Sequence, residues 1–145
     1  SVLSLVDRHH PDRADETVRM AALGGVVGRE QRWLDSGEAI PTGPARVFVP
    51  TVNENTGIAL SRAFGLFTFK PVIGDEPEVV QVQRQDDDLF LVLGSDGVFD
   101  LLHTETIYGI LAVADSIQQA ADAIIAEVLK LGAPDNASVV VIDMK

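Results

Sequence analysis

The chain has no cysteine, so disulfide bridges and thiolate metal sites are both excluded. That suits a reducing compartment. Basic residues are scarce: 11 lysines and arginines stand against 22 acids, for a formal net charge of −11. Nucleic-acid binding needs a basic face, so a general nucleic-acid partner is excluded, as is attraction to an anionic membrane surface. No apolar run reaches the roughly 18 residues of a membrane span. Residues 1–7 are too short, and too poor in basic residues, for a signal peptide. There are no internal repeats and no low-complexity tract. Only three histidines occur, His9, His10 and His103, and nothing in their placement supports a three-histidine metal site.

What is present describes a folding chain. Its 145 residues suffice for one domain with a real core, and 46% hydrophobic with 23% charged residues is a globular balance. The surplus acids either solvate the surface or hold a hard divalent cation, which prefers oxygen ligands.

Local patterns predict the elements. Val2, Leu3, Leu5 and Val6 read as a strand, as if the chain starts inside a domain. Asp15 and Glu16 open a helix that Gly24 and Gly25 end. A strand or hairpin follows from Val26 through Trp33. Residues 34–46, rich in glycine and proline, read as loop, within a flap or loop region at about 34–57. Residues 53–57 read as a turn and 58–64 as a short helix. Val80 and Val82 alternate with Gln81 and Gln83, the period of a half-buried strand. Residues 89–93 and 138–142 are apolar runs of the kind that form strands buried on both faces. Between them, Thr104 is expected to cap one helix. Ser116 with Gln119 forms a capping box for a second helix, striped by Ile117, Ala121, Ile124, Val128 and Leu131 and stopped by Gly132. Strands, paired helices and a closing strand make a mixed α+β domain.

Two aspartates stand where an apolar strand meets a turn: Asp96 after the first run and Asp135 before the last. If the strands are neighbours, both carboxylates come to one end of a sheet. Two carboxylates converging near a core conflict, and Mg²⁺ or Mn²⁺ would resolve the conflict. Turn chemistry alone also accounts for Ser-Asp-Gly and Pro-Asp-Asn. Asp100 is either a further ligand or a helix-start cap.

Longer phrases narrow the choice. Residues 57–65 read G-I-A-L-S-R-A-F-G, residues 90–100 read F-L-V-L-G-S-D-G-V-F-D, and residues 133–141 read A-P-D-N-A-S-V-V-V. His9, Pro11, Asp12, Arg13, Asp15, Glu16 and Arg19, then residues 22–25, form an ordered opening phrase, and residues 45–50 a further one. This ordered set resembles the C-terminal half of the catalytic domain of PP2C-type (PPM family) metal-dependent protein serine/threonine phosphatases, over nearly the whole chain.

The resemblance implies an antiparallel β-sandwich flanked by helix pairs, only its second half present. It implies two Mg²⁺ or Mn²⁺ ions, with a weaker third, and hydrolysis of phosphoserine and phosphothreonine in proteins by a metal-activated water. No protein nucleophile is implied, and Ser61 is not one. Asp96 and Asp135 match metal ligands, and Asp100 matches the acid of the third ion. Asn136 would support the Asp135 turn, Gly97 belongs to the same phrase as Asp96, and Arg62 would pair with a buried acid. His9 is expected to be packed and hydrogen-bonded. Implied partners are a phosphoprotein substrate and either the missing N-terminal half or a partner chain; the implied location is cytoplasmic or nuclear.

The chain also departs from the pattern. The family's R-x-x-M-E-D, D-G-H-G-G and D-G-[ST]-[AT] phrases do not occur, so no catalytic residue of the first half is present. Leu66 stands where the family has Asp, and so does Arg8, with Asp7 one place earlier. The expected parent is an active phosphatase with an incompetent isolated fragment; the alternative is a catalytically inactive phosphatase-like binding or regulatory module.

Overall fold

The computed structural model describes residues 2–145, with residues 53–55 described by backbone only. It divides into two compact units, one comprising Leu5–Val80 and the other Gln81–Lys145 with the residues through Ser4.

In the first unit, helix α1 spans Ala14–Ala22, with Asp15 and Glu16 in its first turn. It ends at Leu23 and Gly24, whose φ of +88° is left-handed and cheap only for glycine. Strands β1 (Val26–Trp33), β2 (Ala39–Val49) and β3 (Asn53–Ile58) form an antiparallel sheet in the order β1-β2-β3. Ala45, Val47 and Val49 alternate into the core, the period of a one-sided strand. Met20 of α1 packs against Val47, Val49, Val72 and Ile73. The corner into β1 is tight: a Cβ on Gly25 would stand 2.6 Å from Val72 Cγ1.

Several expectations change here. Residues 39–46 are strand, not loop, and the turn is confined to residues 34–38, closed by Leu34 N–H donating to the Glu38 carbonyl at 2.8 Å. The prolines misled because β3 pairs only with the Val47 and Val49 end of β2. The proline-bearing part is therefore a sheet edge, where a missing N–H is tolerated. Residues 53–57 belong to β3, and residues 59–64 form no helix. Instead Arg62 bridges to Gly74, and Ala63 N–H donates to the Gly74 carbonyl at 2.8 Å.

In the second unit, β4 (Phe90–Gly94) pairs antiparallel with β5 (Val139–Asp143), from Phe90 opposite Asp143 to Gly94 opposite Val139. Between them lie the short α2 (Asp96–Phe99), then α3 (Thr104–Val113) and α4 (Ile117–Lys130). Val98, Leu102, Ile107, Ile124, Val128 and Val141 form the core. Each such buried side chain contributes about 1.5–3 kcal/mol.

Ser116 caps α4, accepting from Gln119 N–H at 3.1 Å, while Gln119 Oε1 accepts from Asp115 N–H at 2.6 Å. Gly132, at φ +96°, follows its end. Thr104 is not the cap of α3; His103 holds that position with extended backbone. Ile117 and Leu131 of the expected stripe are exposed.

Neither apolar strand is buried on both faces. Val92 and Val141 face the helices, but Leu93 is 52% and Val140 53% exposed on the other face. The segments around Val2 to Val6 and Val80 to Val82 are not strands. The α+β class holds, and no helix among the described residues is long and apolar enough to cross a membrane.

Candidate metal centre

The register of the second sheet decides where its aspartates stand. Because Gly94 lies opposite Val139, the turn leaving β4 and the turn entering β5 meet at one sheet end. Ser95 N–H donates to the Ser138 carbonyl at 3.0 Å. Ser95 Oγ accepts from Ser138 N–H at 3.1 Å and donates to the Asn136 carbonyl at 3.3 Å. Gly97 lies directly against this turn: a Cβ there would collide with the Asn136 carbonyl oxygen and stand 3.3 Å from Ala137 Cα. Only glycine permits that approach.

Asp96 and Asp135 flank this contact, and both are exposed. The expected conflict of two carboxylates near a core therefore does not arise; solvent reaches both. Each carboxylate folds onto the next amide, Asp96 Oδ1 accepting from Gly97 N–H at 2.9 Å and Asp135 Oδ1 from Asn136 N–H at 2.7 Å. Among the described residues the second oxygen of each has no hydrogen-bond partner, which leaves one hard donor per aspartate facing water. That donor type suits Mg²⁺ or Mn²⁺, which bind through one or two carboxylates and keep several waters.

Asp100 is at the C-cap of α2, its N–H donating to the Asp96 carbonyl at 2.8 Å. It is thus not a helix-start cap. Among the described residues no three His, Cys, Asp or Glu side chains are grouped to hold a metal, so Asp96, Asp100 and Asp135 do not assemble as a trio.

Arg62 lies in the other unit and serves a buried ion network. Its Nη2 donates to Glu16 Oε1 at 2.6 Å, and its Nη1 to the Glu76 carbonyl at 3.0 Å. Arg19 donates to Glu16 Oε2 at 2.8 Å and to the Val72 and Ser61 carbonyls at 3.0 and 2.8 Å. Glu16 is only 1% exposed. Burial pushes its carboxyl up, but the hydrogen bonds from Arg19 and Arg62 more than reverse this and hold it well below the usual glutamate range. The Arg62 guanidinium is raised in turn by its bond to Glu16. His9 Nε2 meets Glu78 Oε2 at 2.9 Å, and Arg13 donates to the same oxygen at 2.9 Å. Leu66 adopts a left-handed conformation, φ +50°, at the start of the single helical turn Phe67–Phe69.

Two residues escaped the sequence reading. Glu16 was legible only as a helix-opening acid; the usable signal was its place four residues before Met20, on the inward face of α1. Ser95 sits inside the Ser-Asp-Gly phrase, but its bonds depend on strand register, which no local pattern supplies.

Comparison with known proteins identifies the family and the fold. The family profile described as Protein phosphatase 2C matches residues 2–137. "Probable protein phosphatase 2C 52" of Oryza sativa subsp. japonica is 29% identical over 141 residues, covering 97% of this chain and 25% of the rice protein. "Probable protein phosphatase 2C 69" of Arabidopsis thaliana is 30% identical, covering 92% of this chain and 32% of that protein. The crystal structure of serine-threonine phosphatase 2C from Toxoplasma gondii superposes with a TM-score of 0.75 over 97% of this chain and 46% of its own, at 19% identity, a likeness of fold. The chain thus spans about a quarter to a third of the length of these curated relatives. With the profile covering nearly all of its residues, the chain belongs to the protein phosphatase 2C family.

Proposed function

We propose that this chain is part of a metal-dependent phosphatase acting on phosphoserine and phosphothreonine in proteins, with Asp96 and Asp135 each giving an oxygen to Mg²⁺ or Mn²⁺. The observation that carries the reading is the β4–β5 register, which brings the turns of Asp96 and Asp135 into contact at one sheet end. When bound, the ions supply charge neutralisation at phosphoryl oxygens and an acidified water. The residues of this chain position the ions: Asp96 and Asp135 present open oxygens, Asn136 donates its N–H to Asp135, and Gly97 lets the two turns close. Asp100 would join only a weaker third ion. Residues outside this chain complete the site, because the matched relatives are much longer and the first-half phrases do not occur here.

The test uses the full-length protein with Mn²⁺ and a phosphothreonine peptide. Asp96→Asn is expected to lower kcat/KM at least about 100-fold, since a catalytic metal contributes several kcal/mol. The isolated 145 residues are expected to show negligible turnover. Full activity in Asp96→Asn would reject the site, and turnover by the fragment would reject its dependence on missing residues.

A further inference from the structure

Among the described residues, Ser95 ties the two aspartate turns through its side chain. Asn136 is gripped at both ends: the Asp135 carboxylate accepts from its N–H at 2.7 Å, and the Ser95 hydroxyl donates to its carbonyl at 3.3 Å. The same hydroxyl accepts from Ser138 N–H at 3.1 Å. Ser95 directly precedes Asp96, whose carboxylate is braced by Gly97 N–H at 2.9 Å. A continuous path of hydrogen bonds and covalent bonds therefore runs from one carboxylate to the other, and the Ser95 hydroxyl is its central link.

We infer that Ser95 is a positioning residue for the proposed cation site, its hydroxyl fixing the Asp135 turn against Asp96 and thereby setting cation affinity. This rests on the reading of Asp96 and Asp135 as ligands. Two features separate a positioning role from a fold-maintaining one. The main-chain bond from Ser95 N–H to the Ser138 carbonyl does not need the side chain, so the sheet end stays paired without the hydroxyl. And the hydroxyl bonds the turn itself, at Asn136, rather than the core beneath it. Groups that orient metal ligands typically change affinity 10- to 100-fold when removed.

The test is Mn²⁺ titration of the full-length protein by calorimetry and by proton relaxation, for wild type, Ser95→Ala and Ser95→Thr. Ser95→Ala is expected to bind Mn²⁺ about tenfold more weakly with its melting temperature near wild type, and Ser95→Thr, which keeps a hydroxyl, to restore affinity. In turnover, Ser95→Ala should need correspondingly more Mn²⁺ for half-activation yet approach the wild-type rate at saturation. If Ser95→Ala does not fold, Ser95→Cys, a near-isostere with a much weaker hydrogen-bonding group, carries the same expectation. Wild-type affinity in the hydroxyl-free variant, or a fall in melting temperature with affinity unchanged, overturns the inference while leaving the ligand assignment standing. A wild-type protein that binds no Mn²⁺ overturns the ligand assignment itself and this inference with it.

Discussion

Glu16 is the most constrained charge in the described chain: a carboxylate shielded from water and shared by two guanidinium groups. Its carboxyl is held below the ordinary glutamate value of 4.5, so the unfolded chain takes up a proton more readily than the folded one. The stability it contributes is fully present above that value and is lost progressively as pH falls below it. Glu16→Gln, which leaves Arg19 and Arg62 without their anion, is expected to cost about 3 kcal/mol at pH 7 and to flatten the acid limb of the stability profile. Urea denaturation at pH 7 and pH 3.5 checks both; a variant with the wild-type acid slope would show that another group sets it. At this scale sequence reading was uneven. Asp96 and Asp135 could be singled out because each interrupts an apolar run beside a turn, a strictly local feature. The buried partner of Arg62 lies 46 residues away, and no spacing rule reveals such a pairing.

Among elements, those with signals at both ends were legible. Helix α4 shows a serine cap, a glutamine three residues on and a terminating glycine; the structure uses the cap and the glycine as expected, while Gln119 reaches past Ser116 to the Asp115 N–H. Ser116→Ala is expected to cost about 1 kcal/mol through loss of the cap bond, read as a lowered thermal midpoint, with Ser116→Asp close to wild type. The C-terminal end of strand β2, Val47 to Val49, reads as extended, but its proline-bearing part was not legible because Pro41 and Pro44 imitate a loop, and only knowledge of which stretch pairs with β3 tells an edge from an interior. The converse error arose at Val80 and Val82: alternation describes a strand only when another strand is there to pair. Runs at β4 and β5 were correctly read as strands but not as half-covered ones, since an apolar face carries no mark of what lies over it.

For the molecule as a whole, the chain belongs to the protein phosphatase 2C family and spans about a quarter to a third of the length of the curated relatives it matches. In the unit built on β4 and β5, Leu93, Val140 and Ile142 form an exposed apolar face on a sheet that, among the described residues, has two strands. Such surfaces associate in water. The isolated 145-residue chain is therefore expected to self-associate, with an apparent mass in light scattering that rises with concentration. A monodisperse monomer across the accessible range would contradict this. The α+β class followed from element order, whereas this bare face became visible only once register assigned alternate side chains to opposite sides.

The tie between Ser95 and Asn136 spans 41 positions of the chain, with every helix of the second unit made in between. During synthesis the Asp96 turn leaves the ribosome long before its counterpart, and it has no companion until β5 has emerged and zipped against β4. On the proposed reading of Asp96 and Asp135, ion capture at this place waits on the non-local pairing of β4 with β5 rather than on helix formation. Uptake of Mn²⁺ by a stalled nascent chain would date the moment at which β5 docks against β4.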